Sequence, residues 1–324
     1  MSKVKGNANI VRVLSLMKRL VDKVTVIEYP DDSRSVDLVV EPRAGLHAIV
    51  KVSASVSTRK KDFIELKKIS DFLNINALVV TESYNKEKLL ENVLYIRGRI
   101  GFITPKTLES LCMDEPIYIY EYQGSYYVKV RGEALRELRS KFRLGYSMLA
   151  KMIGITSKSL YEYEQGKMGM SIEVAERFLE IFGDEFERVL ERIDIFSFRI
   201  VGNRKVDRSD VGKGSGEKGN IAEKLEELGL GDVEVFNHIP PDLVIKSRHS
   251  KAFIALVSSN SSIEEVSKKC RENIKMAHEL GGRAITLITK DRDRDVTYLA
   301  EECSDVVGQS LEDIAEFVYR EERR

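Results

Sequence analysis

Residues 35–53, SVDLVVEPRAGLHAIVKVS, can be laid over residues 240–258, PPDLVIKSRHSKAFIALVS, without a gap. The shared Asp-Leu-Val, Arg43 with Arg248, Ile49 with Ile254 and the closing Val-Ser pairs fall in step. Each stretch reads as two apolar strands joined by a short polar turn. The likeness extends outward on both sides. A helix (9–21; 221–229) and a short strand (24–29; 233–236) precede each stretch, and a longer helix (60–74; 263–281) and an apolar strand (77–82; 284–289) follow it. The order α-β-β-β-α-β therefore occurs twice, with a further helix closing each copy (104–112; 310–322).

Between the copies, GYSMLAKMIGITSKSLYEYEQGK (145–167) has the spacing of two short helices around a tight turn. Ala150 is small where crossing helices must approach, and Gly154 can take the positive φ that ends a helix. Ile155 plugs the corner, and Thr156 can accept from the free N–H groups of the next turn. Leu160 and Tyr163 then face inward, leaving Ser157, Lys158, Tyr161 and Glu162 outward. Residues 132–142 read as a preceding amphipathic helix with Leu135 and Leu138 inward, and 171–183 as a following one capped by Ser171.

This pattern resembles the Cro/C1-type family of DNA-binding domains, in which the second helix of the motif lies in the major groove. The resemblance implies base-edge contacts from Ser157, Lys158 and Tyr161, and phosphate contacts from Lys151, Lys167, Arg136, Arg139 and Arg143. Family members often carry Gln at the start of the motif's first helix, where this chain has Tyr146 after Gly145. Glu162 is also unwelcoming to phosphates. Residues 132–182 hold eight Lys/Arg against seven Asp/Glu, so binding would lean on a few residues and on dimerisation.

The flanking order, with an Asp opening the second strand, is similar to the restriction-endonuclease-like fold of archaeal Holliday-junction resolvases and many nucleases. That resemblance implies an Asp on one strand and a Glu-x-Lys on the next, the carboxylates holding Mg²⁺. The first copy offers Asp37 and Lys51, but Ile49 stands where the Glu belongs. On the gapless overlay the second copy keeps Asp242, with Ile254 and Leu256 at the other two places. A single carboxylate holds Mg²⁺ poorly, so both copies are expected to be catalytically dead and each Asp to serve a strand or turn.

The rest of the chain is less specific. Residues 116–130 alternate apolar and polar around Gln123-Gly124-Ser125, a hairpin signal, and would serve as a rigid spacer for the helical unit. Residues 203–220 lack aromatics and should form a flexible tether. Their GKGSGEKG lacks the Gly-Lys-Ser/Thr ending of a phosphate-binding loop. DRDRD (291–295) reads as a solvated loop. With 52 acidic against 52 basic residues the net charge is zero, which excludes a polycationic nucleic-acid coat. Cys112, Cys270 and Cys303 form no C-x-x-C pair and the four histidines share no motif, so no metal or cofactor is expected. No apolar run approaches the roughly twenty residues needed to cross a bilayer, and a cytoplasmic protein is expected.

The expected architecture is thus two degenerate restriction-endonuclease-like α-β-β-β-α-β domains (1–113 and 221–324) flanking a Cro/C1-type helical bundle (132–195). A hairpin connector (114–131) and a tether (203–220) join them. The whole resembles a family of archaeal helix-turn-helix transcriptional regulators. It implies a non-enzymatic partner of double-stranded DNA, working as a homodimer without a membrane. An adaptor bridging basal transcription factors and a Mg²⁺-dependent structure-selective nuclease are the alternatives.

Overall fold

The computed structural model describes residues 2–43, 45–198, 216–257, 262–288 and 294–322. They fall into two compact units, one from residues 1–20, 53–55 and 78–205, the other from 21–52, 56–77 and 206–324, each as far as it is described. Residues 21–52 and 56–77 of the first copy thus fall in the same compact unit as the second copy.

In the first unit, residues 78–80 of the strand Asn76–Val80 begin a sheet that continues through Ile100–Ile103, Val93–Arg97, Ile119–Tyr122, Ser125–Val130 and Met170–Ser171. The tyrosine hairpin turns on two residues, with Tyr122 facing Ser125. Gln123 and Gly124 both take positive φ, 52° and 83°, the conformation whose twist matches the flanking strands. The turn is one residue tighter than expected, because Ser125 already belongs to the returning strand. Ile119–Tyr122 pairs in parallel with Val93–Arg97, while Ser125–Val130 pairs with both Met170–Ser171 and Leu190–Glu191. The hairpin is therefore continuous by hydrogen bonds with the strands bordering the helical bundle. Tyr120 stacks on Tyr127 at 5.5 Å between ring centres, and burial, then Tyr127, pushes the Tyr120 hydroxyl up to about 12.

The bundle itself has five helices, Gly132–Lys141, Tyr146–Ile153, Ser157–Glu164, Ile172–Phe182 and Asp184–Glu187. Leu135, Leu149, Ala150, Ile153, Leu160, Tyr163, Phe178 and Phe186 fill its centre. Ser171 stands at the cap position of the fourth helix, but its side chain makes no capping bond to the backbone, which corrects the expectation. Gly132 has a steric reason: a Cβ there would overlap the carbonyl oxygen of Glu164, so only glycine lets the first helix start against the end of the third.

The second unit contains both internal repeats in part. Strands Val21–Val26, Leu38–Pro42 and Ala48–Val52 run antiparallel, followed by the helix Lys61–Leu73. The second copy is described through a longer stretch. Its helix Glu217–Glu227 leads into antiparallel strands Asp232–Val235, Leu243–Lys246 and Lys251–Val257, and after the helix Ile263–Glu279 come parallel strands Arg283–Ile288 and Val306–Gly308. Helices Arg294–Glu302 and Leu311–Glu322 complete it. The α-β-β-β-α-β order is present in both copies along the chain, the first carrying in addition the two-residue strand Ser55–Val56 before its second helix.

One detail of the repeat is corrected. Leu38 faces Val50 across its hairpin, but its counterpart Leu243 faces Ile254, whereas the gapless overlay would place Ala255 there. The second hairpin is one residue shorter. Ser247 and Ser250 tighten its turn, the Ser247 N–H donating to the Ser250 carbonyl at 3.0 Å and the two hydroxyls lying 2.9 Å apart. The residues matching Ile49 and Lys51 are consequently Phe253 and Ala255.

Residues 203–215 of the expected tether and 291–293 of the expected loop lie outside the described residues. Residues 217–220 are already helical, and Arg294 and Asp295 open a helix rather than a loop.

Candidate nucleic-acid interface

The motif at 145–167 folds as its residue types require. Gly154 ends the helix Tyr146–Ile153 at φ 74°, ψ 38°, and the Ile155 N–H reaches back to the Ala150 carbonyl at 2.9 Å. Arg177, from the fourth helix of the bundle, donates to the Ile153 carbonyl at 2.7 Å and satisfies another group the helix end leaves open. Thr156 then caps the next helix, its hydroxyl oxygen accepting from the Ser159 N–H at 3.0 Å. Leu160 and Tyr163 are buried, while Ser157, Lys158 and Tyr161 are exposed.

Most of the basic residues singled out from sequence also reach solvent. The Lys158 side chain is 84% exposed and only approaches Glu162, at 4.0 Å. Lys151, Lys167 and Arg143 are exposed, and the Lys167 ammonium stands 5.9 Å from the Tyr161 ring centre. Arg136 is half exposed, 3.6 Å from Glu164.

Arg139 differs. Its side chain is only 13% exposed, and it donates to both oxygens of Glu164, at 2.6 and 3.1 Å, and to the Leu144 carbonyl at 3.1 Å. It also lies 4.1 Å above the Tyr146 ring. The Tyr146 hydroxyl completes the cluster by donating to Glu164. Tyr146, standing where the Cro/C1-type pattern often has Gln, is thus engaged within the fold.

Glu164, to which spacing alone assigned no role, is the centre of this cluster. Burial favours its neutral form, but the bonds from Arg139 and Tyr146, and the nearby charges of Arg139 and Arg136, outweigh it and hold the carboxyl below its ordinary range. Their own hydrogen bonds to Glu164 raise Arg139 and Tyr146 above their ordinary values. Glu164 closes the helix that carries Ser157, Lys158 and Tyr161, so this buried network fixes that helix against the first helix of the bundle.

The two nuclease-like aspartates lie in the other unit. Asp37, 2% exposed, accepts the Val52 N–H at 2.7 Å and the Arg34 Nε at 3.0 Å, with Lys51 Nζ at 3.3 Å. Lys51 also donates to the Arg34 carbonyl. Asp242 accepts the Leu256 N–H at 2.7 Å and pairs with Lys218 at 2.6 Å and with Lys269. Each aspartate thus anchors the adjacent strand and faces two cations. Ile49 and Phe253, both buried, occupy the place of the second acid. A Mg²⁺ ion does not fit such a donor set, since a lone carboxylate already balanced by two cations offers it little. Among the described residues no group of three or more His, Cys, Asp or Glu could hold a metal.

Sequence comparison agrees with this division into a nuclease-like fold and a helix-turn-helix. Residues 7–117 match the sequence pattern of the PD-(D/E)XK superfamily domain, and residues 132–195 that of a helix-turn-helix domain. The chain therefore carries both. Over 308 residues, 91% of each chain, it is 29% identical to an Aeropyrum pernix protein provisionally named an HTH-type transcriptional regulatory protein. Similarly named proteins match from Saccharolobus islandicus, 28% identical over 89% of this chain and 88% of the relative, and from Saccharolobus solfataricus, 26% identical over 92% and 94%. No solved structure matches the chain. Among the described residues no helix is long and apolar enough to cross a membrane.

Proposed function

We propose that this chain is a sequence-specific DNA-binding transcriptional regulator that sets the helix Ser157–Glu164 into the major groove, in the manner of a Cro/C1-type domain. The observation that carries this reading is the division of that helix. Leu160, Tyr163 and Glu164 hold it from below, and Ser157, Lys158 and Tyr161 stand free of the core above. Ser157, Lys158 and Tyr161 read base edges, while Lys151, Lys167, Arg136 and Arg143 meet phosphates. Arg139 is withdrawn from the phosphate set and acts as a positioning residue through Glu164. Two chains acting together address half-sites about 34 Å apart, one turn of duplex. The nuclease-like copies take no catalytic part, since neither assembles the second acid a metal-dependent hydrolysis needs. The names of the relatives support the regulatory reading, and a place of action in the cytoplasm goes with that reading.

Mapping bound sites across the genome tests DNA binding, specificity and target set together. Lys158→Glu should weaken binding to a mapped site by about 1–3 kcal/mol and leave the fold intact. Equal affinity of wild type and variant for specific and random duplexes would refute the assignment of this helix.

A further inference from the structure

The helix Lys61–Leu73 of the first copy carries Glu65, which is 7% exposed. Its two oxygens accept the backbone N–H groups of Asn237 and His238, at 2.6 and 2.5 Å, just past the strand Asp232–Val235 of the second copy. The helix Ile263–Glu279 of the second copy carries Glu272, which is 3% exposed. It accepts the N–H of Glu28, at 2.7 Å, just past the strand Val21–Val26 of the first copy.

The two receiving loops correspond. Ile27 N–H donates to the Asp37 carbonyl at 2.9 Å and Phe236 N–H to the Asp242 carbonyl at 2.7 Å, so Glu28 and Asn237 are equivalent positions. Corresponding helices thus reach corresponding loops of opposite copies. Seven residues beyond each glutamate the helix again meets the opposite copy at the rim, here through lysines from different strands. The Phe72 carbonyl accepts from Lys246 at 2.9 Å, and Glu279 pairs with Lys23 at 2.7 Å. Two more links join the same faces, Ser35 N–H to the His238 carbonyl at 2.8 Å and Lys68 to Glu234 at 2.6 Å.

Reciprocal use of the same patch by both members is the signature of an isologous, two-fold interface. Such an interface ordinarily joins two identical chains. Here both members belong to one chain, and a buried carboxylate whose partners are backbone N–H groups of the other member is costly to expose unpaired.

We infer that the two nuclease-like copies are each other's permanent partner, an internal dimer with pseudo-two-fold symmetry in which Glu65 and Glu272 are the pairing determinants. The partner fitted by this face is the other copy of the same chain, and the face is closed to a second molecule. Self-association for DNA binding must then use a different surface. The inference rests on the nuclease-like fold and does not depend on the DNA-binding reading.

Its test uses the full chain with a specific protease site placed within residues 203–215, cut after purification. The two fragments should co-elute as one species on gel filtration. The doubly substituted Glu65→Ala, Glu272→Ala chain, cut in the same way, should show a fragment dissociation constant raised at least about tenfold for each glutamate lost. Uncut wild-type chain, incubated with tagged chain cut in the same way, should fail to take up its C-terminal fragment. Separation of the wild-type fragments on cutting, or capture of the tagged fragment by uncut chain, overturns the internal dimer. Fragments that hold equally well with and without the glutamates overturn their role as determinants. Should the doubly substituted chain fail to fold, the isosteric Glu65→Gln, Glu272→Gln chain takes its place, with a smaller loss expected because one amide oxygen still accepts.

Discussion

Asp37 and Asp242 occupy the same place in two copies of one fold, and they differ in where their counter-charges come from. Asp37 takes Arg34 from the loop before it and Lys51 from the neighbouring strand. Asp242 takes Lys218 and Lys269 from two helices, while the position matching Lys51 is the buried Ala255. What the two share is the bond from the aspartate to the backbone N–H of the next strand, 2.7 Å in both. The common element is structural and the variable element is the one a nuclease would need. In the second copy the lysine has no strand position to act from, and in neither copy does a second acid appear. The aspartates are strand anchors that require positive charge nearby, whatever its source.

The comparison breaks most directly by removing the anchors. Asp37→Ala takes the counter-charge from Arg34 and Lys51 and the acceptor from the Val52 N–H, and Asp242→Ala does the same to Lys218, Lys269 and the Leu256 N–H. Each should cost about 3–5 kcal/mol in urea denaturation, the loss typical of breaking a buried pair from one side. A loss below about 1 kcal/mol in either copy would show that its aspartate is not an anchor.

A third buried carboxylate, Glu164 in the helical bundle, sharpens the contrast because its bonds are made by side chains alone. Glu164→Gln should cost about 2–3 kcal/mol near neutral pH, as hydrogen bonds to a charged acceptor are lost. The carboxyl is held below its ordinary 4.5 in the folded chain. Its contribution is therefore complete above that value and disappears as pH falls through the lower folded one. Acid unfolding curves of wild type and variant should converge at the acid end, and a constant gap down to the lowest pH would contradict the ion cluster. Exchanging the counter-charges comes next in size. Lys51→Met and Lys269→Met should each cost about 1–2 kcal/mol, since each leaves the aspartate one cation. The smallest expected effect is that of the metal. Millimolar Mg²⁺ should leave the thermal midpoint of the wild-type chain unmoved, and a clear rise would reveal a cation site that the side chains do not form.

Local features were legible in the sequence, and distant pairings were not. The turn at Gly154, the Thr156 cap and the inward Leu160 and Tyr163 depend on neighbours within a few residues, and each appears where its type placed it. The doubled element order was readable because short apolar runs alternate with polar turns. The register of the second copy was not, since Ile254 and the closing Val-Ser invite an overlay that the tighter Ser247–Ser250 turn displaces. The pair Val93–Arg97 and Ile100–Ile103 has its local signal in two short apolar runs on either side of Gly98, whose φ is 64°. Arg139 looked like a phosphate contact because its partner Glu164 lies 25 residues away. Glu65 and Glu272 accept from N–H donors 172 and 244 residues away, and spacing carries no trace of such contacts.

The tyrosine hairpin gives the helical bundle a stiff stalk. Strand hydrogen bonds run from Val93–Arg97 through Ile119–Tyr122 and Ser125–Val130 to Met170–Ser171, with no intervening stretch of free chain. The bundle therefore has one heading relative to the sheet beneath it. A slip of the pairing at Tyr127 and Ser171 would swing it as a whole, and so would a change in length at the Gln123-Gly124 turn, which sets the register of the strand that carries it.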